Sequence, residues 1–341
     1  MTLGYYSRNL SGHRTDYLNF VTSRFGGRRV NASEVLWWKD AVLFLMIEEN
    51  FGLYCVTALW RSLLGRRTVG LLFRPIPAVE GTTWRLRTKR FLLRGLRILP
   101  QVKTLSIVPA TLYPNILNIA DDWIHDFQLW DISEEERKKF SDHQYFNNEK
   151  NADAQAILKA AKQYANGRPI IVALGAQNRA KGTVILANSM DTILNAGWAV
   201  VVAGRFSDNE DATRERIIDK GGLVIDRFLS NDEILALYST ANAVWCLYDP
   251  AYNQASGILG RAVQLGVSPI VRNKSLSAAL CEYEGIHHGA SEGGDELTLI
   301  LSNLLKNIAQ NNISIELTTR IKEQNTDKLR RALNLANEKM A

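Results

Sequence analysis

Short, unbroken apolar runs alternate with longer amphipathic stretches along this chain. Ala41–Ile47, Pro169–Leu174, Ala199–Ala203 and Ala243–Leu247 are apolar at nearly every position. Runs this short and this uniform predict strands covered on both faces, as in a parallel sheet. In the first half, further strands are expected over Thr2–Ser7, Arg67–Phe73 and Val102–Val108, with helices over Thr15–Phe25, Gly52–Leu64 and Thr82–Leu99. In the second half, helices are expected over Ala152–Ala165, Lys181–Asn195, Asp208–Lys220 and Ser256–Leu265. A further helix opens at Ser230, with Glu233 placed to close a capping box. Strands at Leu223–Asp226 and Pro269–Val271 complete the alternation, and the tail from Glu296 reads as helical and charged.

This spacing is that of βαβ units and predicts an α/β protein with mostly parallel sheets. The rhythm breaks over Asp126–Lys150, which is acidic, then basic, then rich in Asn, and is expected to cross the surface between domains. The expected division is therefore residues 1–150, residues 151–305 and terminal helices over 306–341. Two open α/β domains facing each other imply a cleft, with ligands beyond the carboxyl ends of the strands. The loops placed there are Asn9–Arg14, Gly175–Lys181, Gly204–Ser207, Asp226–Ser230 and Asp249–Gly257.

Composition narrows the classes. A hydrophobic content of 46% supports real cores. Cys55, Cys246 and Cys281 are widely separated and form no CxxC pair, which fits a reducing compartment. The histidines, including His287-His288, show no zinc-ligand spacing. The polar start at Tyr5–Arg8 does not read as a signal peptide, and no apolar run reaches the ~20 residues a membrane span needs. A cytoplasmic protein is expected, soluble or peripherally attached to a membrane.

The net charge of +6 is unevenly placed. From Arg61 to Lys103 the only acid is Glu80, against eleven Lys and Arg. Within 84–99, Arg87, Arg90, Arg94 and Arg97 recur at helical spacing, and Leu86, Leu92, Leu93, Leu96 and Leu99 supply an apolar side. A cationic amphipathic helix of this kind suits an anionic membrane surface; a core-packed helix with a solvated basic face has the same pattern. No nucleic-acid reader motif accompanies it, so nucleic acid is not an expected partner.

Several loops carry candidate chemistry. Ser256-Gly257 opens a helix whose first-turn N–H groups can hold an anion. Arg179 and Lys181, in the loop after a buried strand, can neutralise a diphosphate. Gly12 permits close backbone approach between the first strand and helix, and His13 beside it can carry a proton or cap the helix. Asp121, paired in sequence with Asp122, can act as a base or an orienter, or lie on the surface. Glu34-Val-Leu-Trp-Trp-Lys39 either packs a core or lines an acceptor groove.

Residues 167–275 resemble the donor-binding domain of retaining glycosyltransferases with the two-domain GT-B architecture, in the large bacterial polysaccharide and mannosyl transferase-like family 4. Lys181-Gly182 matches a motif of that family, although Ala176 stands at its usual arginine. Gly204-Arg205 and the block from Val224 to Ala243 also match, with Arg227 in the segment that frames the nucleotide base. The family's paired glutamates are absent: Asn253 and Arg261 occupy their positions. The first position lies near the transferred sugar in the family, and the second holds the ribose. Arg261 cannot accept hydrogen bonds from ribose hydroxyls, and could instead meet phosphate or a carboxylate on the donor sugar.

The resemblance implies two Rossmann-like domains facing across a cleft and transfer of a sugar from a nucleotide diphosphate sugar to an acceptor hydroxyl, with retention. His13, Asp121 and Asn253 are the expected catalytic positions. Gly12, Arg179, Lys181, Arg205, Arg227, Ser256, Gly257 and Arg261 are the expected donor-binding ones. Basic groups would stabilise the leaving diphosphate without a metal or other cofactor. The basic helix fits a lipid-linked saccharide acceptor of a bacterial exopolysaccharide or surface-glycan pathway. Two readings compete: a non-transferring relative such as a nucleotide-sugar epimerase, and a catalytically silent donor-binding or scaffold partner of another transferase, which the missing glutamates favour.

Overall fold

The computed structural model describes residues 2–10, 13–133, 137–138, 140, 146, 151–294, 296–306 and 313–335. The chain divides into two compact units, Met1–Phe127 with Arg320–Ala341, and Gln128–Thr319. The Asp126–Lys150 stretch thus lies mostly in the second unit, and much of it falls outside the described residues.

The first unit holds a six-stranded, all-parallel sheet. Its strands are β1 (Gly4–Tyr6), β2 (Arg28–Arg29), β3 (Val42–Phe44), β4 (Thr68–Leu72), β5 (Val102–Ser106) and β6 (Asp122–Trp123), in spatial order β2-β1-β3-β4-β5-β6. Val42–Phe44 and Thr68–Leu72 are buried at every position, because helices cover both faces. Those helices include α1 (His13–Phe25), α2 (Glu34–Trp37), α3 (Phe51–Leu63), α4 (Pro75–Glu80) and α5 (Trp84–Leu96).

The second unit repeats the plan with β7 (Ile170–Leu174), β8 (Ala199–Ala203), β9 (Leu223–Ile225), β10 (Ala243–Cys246), β11 (Ser268–Arg272) and β12 (Gly289–Ser291), in order β12-β11-β10-β7-β8-β9. Helices α6 (Ala152–Ala165), α7 (Thr183–Asn195), α8 (Asp211–Asp219), α9 (Asn231–Thr240), α10 (Gly257–Gln264), α11 (Leu276–Glu284) and α12 (Glu296–Lys306) connect and flank these strands. The core gathers Ile171, Val200, Val202, Trp198, Trp245 and Ile270 with Leu186 and Met190. The expected capping box is present: Ser230 Oγ accepts from Glu233 N, and the Glu233 carboxylate accepts from Ser230 N.

Helix α13 (Ile313–Leu333) is shared between the units by sequence, and from Arg320 onward it packs in the first. Asn325 Oδ1 accepts from His125 N at 3.0 Å, and Lys328 Nζ donates to the Trp123 carbonyl at 2.9 Å. Arg67 Nε donates to the Ala332 carbonyl at 2.6 Å.

Arg61 belongs to the core and not to a basic surface. It is fully buried, and its guanidinium donates to the carbonyls of Trp38, Asp40 (2.6 Å) and Arg67 (2.9 Å) and to Thr68 Oγ1 (3.0 Å). Burial, with help from nearby Arg66, pulls its pKa down to about 10, which leaves it charged at neutral pH. One cation thereby satisfies the carbonyls at the amino ends of β3 and β4.

The leucine side expected on the basic helix also faces inward. Leu93 and Leu96 are buried in the core of the first unit, and Arg90 turns in to the carbonyls of Ala78 (2.9 Å) and Gly81 (2.7 Å). Leu92 alone of that leucine set is exposed. The amphipathic pattern of 84–99 is therefore explained first by packing against the sheet.

In the second unit, the segment after Phe127 is strapped to α10. Arg261 forms a bidentate pair with Asp131, at 2.8 and 3.0 Å, with both side chains largely buried. Gln264 Nε2 donates to the Gln128 carbonyl at 2.6 Å and to Asp131 Oδ1 at 2.8 Å, while its Oε1 accepts from Ile132 N at 2.9 Å. A Cβ at Gly260 would lie 2.8 Å from the Gln128 carbonyl oxygen, so the strap touches the helix backbone.

Two outcomes test these contacts. Arg61→Met leaves several buried carbonyls unpartnered, and should lower unfolding free energy by about 3 kcal/mol in urea titration; a loss below about 1 kcal/mol would mean the carbonyls find other donors. Asp131→Leu strands the buried Arg261 charge and should cost about 3 kcal/mol, whereas Asp131→Leu combined with Arg261→Met should recover most of it. Additive losses in that cycle would sink the pairing.

Candidate functional site

The second sheet starts in its middle, at β7, runs outward through β8 and β9, and returns to β10 on the other side of β7. The crevice of such a sheet lies where the order reverses, beyond the carboxyl ends of β7 and β10. The loops there are 175–182 and 247–256.

Both loops are tied down before any ligand arrives. Gly182 has φ +73°, and a Cβ there would meet the Leu247 carbonyl oxygen at 2.0 Å. Asp249 N donates to the Ala180 carbonyl at 3.2 Å, and Trp245 Nε1 to the Gly182 carbonyl at 3.3 Å. On the other flank, Gly204 has φ +137°, and a Cβ would sit 1.9 Å from the Gly175 carbonyl oxygen. Buried Gln177 fills the turn, donating to the carbonyls of Ala173 (3.2 Å) and Gly175 (2.9 Å) and accepting from Thr183 Oγ1 (3.2 Å). Asn178 Oδ1 accepts from Lys181 N at 3.1 Å and sets the single turn of 3₁₀ helix that presents Arg179 and Lys181.

Lys181 is the centre of the arrangement. Its Nζ donates to Tyr252 Oη at 2.8 Å and lies 4.0 Å from the centroid of the Tyr252 ring and 4.6 Å from that of Tyr248. The two rings meet edge to face at 5.1 Å. This aromatic corner holds an ammonium that no carboxylate among the described residues pairs with. Tyr248 Oη in turn shares a 2.8 Å hydrogen bond with Ser256 Oγ, which caps α10 by accepting from Leu259 N at 3.4 Å. Burial pushes the Cys246 thiol up to about 12, so it is a packing group beneath the site and not a nucleophile. The first-turn N–H groups of Gly257 and Ile258 donate to no partner within the helix, as at any helix start.

The remaining expected residues are placed as follows. Arg179 is 83% exposed and 3.7 Å from Asp249, and exposed Arg205 follows β8. Arg227, beyond β9, is engaged by Glu233, to which its Nη1 donates at 3.1 Å. The Arg227 pair is the main cause that holds the Glu233 carboxyl below its usual range. Asp226 is likewise depressed, first by the hydrogen bond from Phe206 N and then by Arg214. Arg261 is engaged by Asp131. Asn253 is exposed, and its Oδ1 accepts from Leu276 N at 2.8 Å, at the start of α11. Arg179, Lys181, Arg205, Ser256 and Gly257 thus gather around β7, β8 and β10, while Arg227, Arg261 and Asn253 each serve a contact elsewhere.

In the first unit, Gly12 lies outside the described residues, and of His13 only its place at the start of α1 is described. Asp121 is held by Lys103 (3.2 Å) and accepts from Thr104 N (2.8 Å), beside the early part of β5 and away from the carboxyl ends where a ligand would sit. Trp38 donates from Nε1 to the Thr2 carbonyl at 2.8 Å, and Trp37 lies exposed, edge-on to Trp60 at 5.3 Å. His287, in a loop before β12, shares a 2.9 Å hydrogen bond with Ser268; burial, then His288, lowers its pKa.

The sequence reading missed Tyr248 and Tyr252, although two tyrosines directly after a buried strand were a usable signal. It also missed Glu48 and Glu49, which follow β3. Glu49 accepts from Arg8 N at 2.8 Å and pairs with Arg14; Glu48 accepts from Arg74 N at 2.8 Å and lies 3.6 Å from Lys89. These carboxylates tie together the segments after β1, β3 and β4, where the first sheet's order reverses.

Neither a protein-family model nor a curated protein sequence matches this chain. Solved structures match it over almost its whole length. A glycosyltransferase from Rickettsia africae ESF-5 gives a TM-score of 0.63 at 11% identity, covering 98% of this chain and 99% of that one. HepE (Alr3699) of Anabaena, solved in complex with UDP, gives 0.63 at 12% identity, covering 97% and 100%. The same protein solved with UDP and glucose gives 0.61 at 12% identity, covering 96% and 99%. At such identities the likeness carries the fold and nothing finer: the chain has the α/β GT-B build of two Rossmann-like domains that its second half led one to expect.

Proposed function

We propose that the protein is a glycosyltransferase of the family 4-like kind, moving a sugar from a nucleotide diphosphate sugar to an acceptor hydroxyl. The observation that carries this reading is Lys181, an ammonium on an aromatic corner at the reversal point of a Rossmann-like sheet, next to the start of α10. A diphosphate leaving group develops negative charge as the sugar departs. A lysine with no carboxylate partner among the described residues and the first-turn N–H groups of α10 are suited to stabilise that charge. HepE, which shares the fold, was solved in complex with UDP, which supports a nucleotide as ligand. Arg179 and Arg205 add positive potential there, and the proposed donor site uses no metal. Retention at the transferred carbon, and a lipid-linked saccharide acceptor of surface-glycan or exopolysaccharide synthesis at the cytoplasmic membrane face, complete the proposal.

One observation favours a second reading, a silent donor-binding partner of another transferase. Neither position of the family's glutamate pair offers a carboxylate, and Asn253 and Arg261 are both engaged in structural contacts. A silent partner would bind donor without transferring it.

Calorimetry against uridine, guanosine and adenosine diphosphates and their sugar conjugates separates these. Selective binding of one nucleotide is expected, weakened at least about tenfold by Lys181→Ala, which corresponds to about 1.4 kcal/mol. Tyr252→Phe, which keeps the ring and removes the hydroxyl, should change affinity far less than Lys181→Ala. Absence of binding by folded protein would overturn the donor site. Binding without turnover on any lipid-linked acceptor would favour the silent partner.

A further inference from the structure

We propose that the outward faces of α3 and α5 together form a docking face for an anionic bilayer, with residues other than the leucines of 84–99 making the contact. The two helices pack side by side: the Lys89 ammonium on α5 lies 5.5 Å from the centroid of the Phe51 ring on α3. Their inner sides, with Tyr54, Ala58, Leu93 and Leu96, are buried in the first unit's core. Those side chains are spent on folding.

The outer sides are also apolar, which folding does not explain. On α5, Trp84 is 72% exposed and Phe91 76%, and Ile98, just past the helix, is 82% exposed. Their sevenfold spacing puts the three in one stripe. On α3, Leu59 and Trp60 are exposed and Leu63 is 82% exposed. Large apolar side chains exposed together on adjacent helices mark a surface that binds something.

Charge selects the occupant. Exposed Arg87 and Arg94 flank the α5 stripe, and Glu80 is the only acid from Phe51 to Leu99. Glu80 itself is engaged by the Tyr113 hydroxyl. A second copy docking by this face would bring arginines against arginines with no carboxylate to receive them, which opposes a two-fold dimer. An anionic bilayer receives both features: aromatic and aliphatic side chains enter the headgroup boundary, and the arginines meet lipid phosphates. Among the described residues no helix is long and apolar enough to cross a membrane, so contact by this face would be interfacial.

This inference deepens the membrane part of the proposed function and is independent of the donor site. The test is sedimentation of the full chain with vesicles of phosphatidylcholine alone and of phosphatidylcholine mixed with phosphatidylglycerol. Three paired variants are compared with the wild type: Phe91→Ser with Ile98→Ser, Leu59→Ser with Leu63→Ser, and Arg87→Gln with Arg94→Gln. Thermal melts confirm that each variant is folded. The wild type should pellet with the anionic vesicles only, and each pair should weaken this on the order of tenfold. Wild-type protein that stays in the supernatant overturns the proposal, as do folded variants that pellet like wild type. Loss through the α5 pairs with none through the α3 pair overturns the two-helix face. A wild-type dimer abolished by the apolar pairs would assign the surface to a second copy and overturn the bilayer. Vesicle binding by protein that binds no nucleotide would support this face while overturning the donor site, so the two failures are distinguishable.

Discussion

The second unit depends on backbone meeting backbone at the ends of its central strands. The Gly175 carbonyl packs against Gly204, and the Leu247 carbonyl against Gly182, at distances that leave no room for a Cβ. Both glycines also have φ values that other residues seldom adopt. This close approach brings the turns after β7, β8 and β10 together. Lys181 stands directly before one of these glycines and Arg205 directly after the other, so the placement of both cations follows from two missing side chains.

The same constraint explains the aromatic corner. With Gly182 pressed on Leu247, the chain after β10 turns at Tyr248 and returns through Tyr252, so both rings reach the Lys181 ammonium. Tyr248 then bonds Ser256, which caps α10. A path of named contacts runs from the lysine to the helix start. Two kinds of group able to hold an anion, a side-chain cation and helix N–H groups, are therefore held by one network, so a ligand binding there would leave little to order.

Much of the fold was legible because buried parallel strands write themselves as unbroken apolar runs. Ala199–Ala203 and Ile170–Leu174 are examples, and the capping box at Ser230 was equally plain. The strands that escaped, Arg28–Arg29, Asp122–Trp123 and Gly289–Ser291, lie at sheet edges, and short edge strands carry little apolar signal. The helix over 84–99 was read in the right place, with its leucines fitting membrane contact and core packing alike: periodicity shows that a face is apolar, not what covers it. At the site, Lys181 and the Ser256-Gly257 start were legible from a strand–loop–helix pattern. Asp131 was not, since its partner Arg261 is remote in sequence and no local pattern links them.

Arg261 shows how one substitution changes the question asked of a site. A glutamate at this helix position could accept hydrogen bonds from ribose hydroxyls; an arginine can only donate. Left free beside a nucleotide, it would add to the positive potential. Here it is matched instead by a carboxylate from the strap after Phe127, with Gln264 completing the network. A buried cation with no partner would be costly, so Arg261 and Asp131 make sense only together. The pair spends the arginine on holding the strap to α10. In the proposed function, donor binding at this helix start would rest on Lys181, the backbone N–H groups and nearby arginines, chemistry that reads a diphosphate more strongly than the sugar of the nucleoside.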